Sequence, residues 1–163
     1  MPEALINGGL ALTHDDGISV MSKKEALAVF HTFNPSQWAA HDPERRIVIA
    51  IEWQAQRIPF LSAFVNTSAK DVAQRVEEQA RKSYKLGYSG GELYTRELCG
   101  TESWGFRYEY LVQGVEQVGQ VDVVTQQLKK GSCCYTIYFH SRKEDAEENY
   151  ARHEQMLASM HFV

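Results

Sequence analysis

A strand-like pattern of apolar and polar side chains dominates the second half of this chain. Four runs carry it, Glu92–Cys99, Glu102–Val112, Val115–Leu128 and Ser132–His140, each separated from the next by a short turn. The pattern predicts four consecutive strands. A fifth strand, Ile47 to Gln54, precedes them, with Ile47, Ile49, Ile51 and Trp53 on one face and Val48, Ala50, Glu52 and Gln54 on the other. Helical spacing appears in three places. Ser22-Lys23-Lys24-Glu25 spells a capping box ahead of Ala26, Leu27, Val29 and Phe30, the expected buried side of a short helix. Ser68 with Asp71 caps a second helix, whose apolar line runs Val72, Val76, Ala80 and Tyr84 until Gly87 stops it. Ser141 and Glu144 form a third cap, followed by a stripe of Ala146, Tyr150, His153, Leu157 and Met160. Asn34-Pro35 is expected to start one more helical turn, carrying Trp38 and ended by Asp42-Pro43. The stretch 58–65 reads equally well as strand or helix. The N-terminal part reads as poor in strand, with His14-Asp15-Asp16-Gly17 a turn after Leu10 to Leu12. The order strand, helix, four-strand meander, helix predicts an α+β fold. Its antiparallel sheet holds the meander plus at least one further strand, with helices packed against it.

The turns set the register. Val112-Gln113-Gly114-Val115 predicts a two-residue hairpin loop pairing Val112 with Val115. Tyr110 then faces Gln117, Tyr108 faces Gly119, Phe106 faces Val121 and Trp104 faces Val123, an almost wholly apolar face read as core. An aromatic ring opposite a mid-strand glycine also covers the gap that glycine leaves. For the next turn a three-residue Lys129-Lys130-Gly131 loop aligns Val123 with Ile137 and Val121 with Phe139, extending the apolar face. A two-residue loop would put Thr136, Tyr138 and His140 there instead. The three-residue reading places Arg107, Gln120, Asp122, Tyr138 and His140 together on the reverse face.

Composition narrows the function. With 163 residues and 44% apolar content the chain is long enough to bury its own core, and no repeat or linker divides it, so 1–163 reads as a single domain. A net charge of −4 argues against a nucleic-acid partner. No apolar run approaches the length of a membrane span, and no basic segment leads into an apolar one at Met1 to Gly9. Cys99, Cys133 and Cys134 are odd in number, and adjacent strand residues point to opposite faces, so reduced thiols in the cytoplasm are expected.

Catalytic and cofactor motifs are missing. Gly87-Tyr88-Ser89-Gly90-Gly91 matches the nucleophile-elbow string, but that motif needs a strand before the serine and a helix after it, and here the order is reversed. The six histidines include no pair at i, i+4 and the cysteines have no Cys-x-x-Cys spacing, so neither metal nor cofactor is expected. The remaining constellation is the row of Arg107, Gln120, Asp122, Tyr138 and His140. Its side-chain types suit acid–base work or the grip of a small ligand.

With the meander and the closing helix in view, the chain resembles the PsbP-like (Mog/PsbP) superfamily, as a small bacterial member. The resemblance covers about Ile47 to Phe162. It rests on the order of elements, on Trp104-Gly105-Phe106-Arg107-Tyr108-Glu109-Tyr110 as the central strand, and on Ser141 to Phe162 as the final helix with its apolar tail. The resemblance implies a sheet with helices against it, used mostly to bind other macromolecules. The expected function is therefore a non-enzymatic binding or adaptor domain acting through protein–protein contacts. The alternative is a small enzyme or small-ligand-binding protein using the cluster around His140.

Overall fold

The computed structural model describes residues 1–30, 37–56, 68–85 and 87–163. In chain order the elements are β1 (Glu3–Ile6), β2 (Leu10–Thr13), β3 (Ser19–Val20), α1 (Lys23–Phe30), β4 (Gln37–Asp42) and β5 (Ile47–Gln56). After α2 (Ala69–Ser83) come β6 (Ser89–Gly90), β7 (Tyr94–Leu98), β8 (Thr101–Val112), β9 (Val115–Gln127) and β10 (Ser132–Arg142). A 3₁₀ turn (Lys143–Asp145) leads into α3 (Ala146–Ser159), and β11 (His161–Phe162) follows. Eight strands form one antiparallel sheet in the order β3-β4-β5-β10-β9-β8-β6, with β7 also paired to β8. Strands β1, β2 and β11 make a second, smaller sheet. The fold class is α+β, as the meander predicts.

Each face of the large sheet carries its own core. On one side Ile47, Ile49, Ile51, Tyr135, Ile137 and Phe139 are buried under α3 and the small sheet, through Met156, Leu157, Leu10 and Leu12. On the other, Phe106, Tyr108, Tyr110, Val121 and Val123 pack beneath α2, which contributes Val72, Ala73, Val76, Ala80 and Tyr84. Ser68 starts α2 as the sequence predicts, its hydroxyl accepting from the Asp71 amide at 3.2 Å. Ser22 and Glu25 likewise close a reciprocal capping box at α1. In α1 only Ala26 of the expected apolar side is buried; Leu27 and Val29 are exposed. The burial of Phe30, Asn34-Pro35 and the stretch 58–65 lie outside the described residues.

The β8–β9 hairpin has the predicted register, with Tyr108 opposite Gly119 and Phe106 opposite Val121. Gln113 and Gly114 both take positive φ, 50° and 78°, as a tight two-residue hairpin demands. Tyr108 covers Gly119 so closely that a Cβ there would meet its Cζ at 2.3 Å. Trp104, at the end of the same row, is only half-buried, with the Lys70 ammonium over its ring at 5.1 Å.

The β9–β10 hairpin corrects the expected register. Its loop is Lys129-Lys130, closed by the Leu128 amide donating to the Gly131 carbonyl at 3.0 Å, and Gly131 takes φ 95°. Thr136, Tyr138 and His140 stand opposite Val123, Val121 and Gly119. The reason lies on the other flank of β10. Ile137 pairs with Ile51 and Phe139 with Ile49, so the isoleucine face of β5 claims them for the α3 side. The deeper apolar match, to β5, overrides the match to β9.

Three further expectations are revised. The N-terminal region is not poor in strand: Asn7 and Gly8, at φ 54° and 66°, turn β1 back onto β2. Trp38 sits in strand β4, not in a helical turn, because the Asp42 carboxylate accepts the Glu44 and Arg45 amides and folds the chain straight into β5. Ser141 caps no helix. It belongs to β10, donates to the Arg142 carbonyl and accepts from Asn149, while the apolar tail beyond α3 is strand β11 on β2.

Candidate functional site

The corrected register splits the five candidate residues between the two faces of the sheet. Arg107, Gln120 and Asp122 stay together on the α3 side, while Tyr138 and His140 move to the α2 side.

On the α3 side the polar groups satisfy one another. Gln120 and Asp122 are fully buried. Arg107 Nε donates to Gln120 Oε1 at 2.9 Å, and Gln120 Nε2 donates to Asp122 Oδ2 at 2.7 Å and to Glu154 Oε1 at 3.2 Å. Tyr94 donates to Asp122 Oδ1 at 3.0 Å, and Arg96 grips Glu154 with two parallel bonds, at 2.9 and 2.5 Å. Gly105, opposite Asp122, makes the room: a Cβ there would lie 2.6 Å from Asp122 Oδ1 and 2.9 Å from the Tyr94 hydroxyl. Burial pushes the Asp122 carboxyl up against the pull of Gln120 and Tyr94. Burial also acts upward on Glu154, but the bonds from Arg96 and Gln120 outweigh it and hold that carboxyl below its ordinary range. The Arg107 guanidinium lies 4.0 Å over the Tyr150 ring. Gln120, Asp122 and Glu154 have little capacity left for a ligand, while the Arg107 guanidinium is half-exposed.

The α2 side differs. Helix α2 lies over β8 and β9 and leaves a groove between its own flank and strands β10, β5 and β4. Tyr138, His140, Glu52, Tyr84, Tyr108 and Gln79 line one end, which encloses about 730 Å³ with the open mouth included. The groove continues past Glu52, Val76 and Tyr138 to a stretch bordered by Trp53, Thr136 and Arg75. His140 Nδ1 bonds the Tyr110 hydroxyl at 2.8 Å, and its ring stands edge-on to Tyr108 and Tyr110. Burial lowers its pKa to about 4, so the imidazole is neutral at physiological pH. Burial raises the pKa of Glu52, opposed only by the Tyr138 hydroxyl, which reaches Oε2 at a long 3.5 Å. Among the described residues Glu52 forms no ion pair. Sequence reasoning placed Glu52 on the correct strand face but gave it no role. The missing signal was parity with β10, which the wrong loop length inverted.

Elsewhere, His153 is buried and stacked on Phe139 at 4.4 Å, with both ring nitrogens unpartnered among the described residues and its pKa lowered to about 3 by burial. Cys133 and Cys134 point into the two different cores, and all three cysteines are free. The described residues bring no three histidine, cysteine or carboxylate side chains together as a metal site. No described helix is long and apolar enough to cross a membrane.

No protein-family model matches the chain, and no curated protein matches it in sequence. Solved structures do match. LpqN, involved in cell envelope biogenesis of Mycobacterium tuberculosis, is similar with a TM-score of 0.66 at 12% identity, over 94% of this chain and 83% of that one. The cyanobacterial PsbP (CyanoP) of Synechocystis sp. PCC 6803 gives 0.62 at 13% identity, over 99% and 92%. The Saccharomyces cerevisiae Ran-binding protein Mog1p gives 0.61 at 11% identity, over 99% and 95%. Similarity at this level of identity speaks to the fold, and it agrees with the paired cores and the meander: the chain has the PsbP/Mog1-like fold.

Proposed function

We propose that this protein is a non-enzymatic binding module that holds a protein partner in the groove between α2 and strands β10, β5 and β4. The observation that carries the reading is the uneven cover of the sheet. Among the described residues helix α2 covers the β8–β9 half and leaves a groove over the other half, lined by tyrosine, glutamine and arginine. Tyrosine and arginine are among the side chains on which interfaces concentrate their binding energy. The groups that looked catalytic support the same reading from the opposite face, because Arg107, Gln120 and Asp122 are engaged with Glu154 and Tyr94. That Mog1p, of the same fold, is a Ran-binding protein is in keeping with a protein partner. Three free cysteines fit a reducing compartment such as the cytoplasm, and the net charge of −4 fits a partner other than nucleic acid.

The small-ligand alternative keeps two of its five residues, Tyr138 and His140, which border the groove together. Gln79 is exposed on the groove flank of α2, whereas Gln74 is exposed away from it. Tagged protein is recovered from its own cell and its partner identified by mass. Gln79→Trp should abolish co-purification and Gln74→Trp should leave it intact. Retention of the partner by Gln79→Trp would remove the groove from the function.

A further inference from the structure

We propose that the Tyr84–Tyr138 end of this groove is a receptor for a lysine side chain presented by an extended segment of the partner, with Glu52 as the counter-charge. The inference rests on the groove reading above and names the chemistry of its occupant.

Four observations support it. First, the charge balance of that end is one-sided. Glu52 is the acidic side chain there, and no lysine or arginine lines that end among the described residues. His140 adds no positive charge at neutral pH. Arg75 borders the further stretch and forms no ion pair with Glu52. A half-buried carboxylate held only by a hydroxyl at 3.5 Å is short of a partner, and an incoming cation supplies one.

Second, the walls suit a cation. Tyr84, Tyr108 and Tyr138 line the same end as the carboxylate, and tyrosines attract a desolvated ammonium through ring electrons and hydroxyl oxygens alike. Third, access selects ammonium over guanidinium. The Tyr138 hydroxyl stands 3.5 Å from Glu52 Oε2 and crowds that side, so an incoming group meets the carboxylate through Oε1, an approach that suits a compact point charge better than a planar fork. Fourth, the groove does not stop at the pocket. It runs on past Val76 and Tyr138 to Arg75 and Thr136, giving the residues flanking an inserted lysine a surface to lie on.

The test uses the full chain, isotopically labelled and followed by NMR. It is titrated with a capped pentapeptide of four alanines around a central lysine, with its norleucine and arginine counterparts, and with n-butylammonium. The lysine peptide should shift resonances of Glu52, Tyr84, Tyr138 and His140 and bind at least about tenfold more tightly than the norleucine peptide. Glu52→Gln should remove that advantage without lowering thermal stability, since a neutral amide relieves a carboxylate that burial disfavours. Equal binding of the norleucine peptide overturns the proposal, equal binding of the arginine peptide overturns the ammonium, and n-butylammonium binding as tightly as the peptide overturns the polypeptide occupant. Partner capture lost with Gln79→Trp but insensitive to Glu52→Gln overturns this inference and leaves the groove reading standing. Capture insensitive to both overturns the groove reading itself.

Discussion

The two faces of the central sheet use similar polar side chains to opposite ends. On the α3 face Glu154 is held by Arg96 and Gln120, Asp122 by Gln120 and Tyr94, and Gly105 leaves space for the arrangement. On the α2 face Glu52 has one distant hydroxyl, and His140 uses one ring nitrogen on Tyr110. The first arrangement is closed and acts as structure; the second has unspent bonding capacity and borders an opening. Residue type alone pointed to the closed face, because arginine, glutamine and aspartate in a row look like chemistry. Remaining capacity is the better guide to a site, and it can be read only once partners are known.

The largest test of this contrast is acid. On each face burial disfavours the charge of an imidazole, His153 on α3 stacked on Phe139 and His140 beside the α2 groove. Both carry an ordinary pKa of 6.5 when unfolded, lowered on folding to about 3 and about 4. The unfolded chain therefore takes up protons first as pH falls. Stability is complete above pH 6.5 and declines below it, by up to about 1.4 kcal/mol per pH unit for His153 and less for His140, which borders the groove. Urea unfolding from pH 7.5 down to 4.5 should show that slope, His153→Phe should flatten most of it, and an unchanged slope would mean the ring is solvated.

Next in size is Phe106→Ala, which empties the core under α2 and should cost about 3–5 kcal/mol in the same measurement. A loss below about 1 kcal/mol would make the α2 face a groove wall without a core of its own. Asp122→Ala strands the Tyr94 hydroxyl and one Gln120 donor, and should cost about 1–3 kcal/mol while leaving lysine-peptide affinity unchanged. Glu52→Gln should do the reverse. Burial raises the Glu52 pKa, so its ionised form disfavours folding at neutral pH, and the amide should change stability by about 1 kcal/mol or less, upward. A variant that moved stability and affinity together on either face would erase the distinction between them.

The comparison also explains what could be read in advance. The β8–β9 hairpin was legible because Gln113-Gly114 permits one tight loop and its register buries Phe106 and Tyr108 under α2. The next loop was decided by extending that apolar face onto Ile137 and Phe139, which assumed the whole face to be covered. Helix α2 covers half of it, so Tyr138 and His140 can stand there beside solvent. The pairing of Ile137 with Ile51 holds the answer, but it joins strands far apart in sequence, and no local turn announces it. Asn7-Gly8 between Ile6 and Leu10 is a hairpin signal that was present and passed over. Strand β4 was hidden differently, since Trp38-Ala39-Ala40 has no alternation to betray it.

Strand β11 has a consequence for how the molecule is made. His161 and Phe162 lie against Ala11 and Leu10, so the second strand of the chain meets its outer neighbour only after nearly everything between has been synthesised. At ribosomal speed that interval is on the order of ten seconds. Throughout it β2, which carries the fully buried Leu10 and Leu12, presents a bare strand edge to the crowded surroundings of a nascent chain. The Leu10–Ala11 stretch of that edge gains its strand partner only when β11 emerges. A polar residue at Leu10 would trade that hazard for a weaker seam in the finished fold.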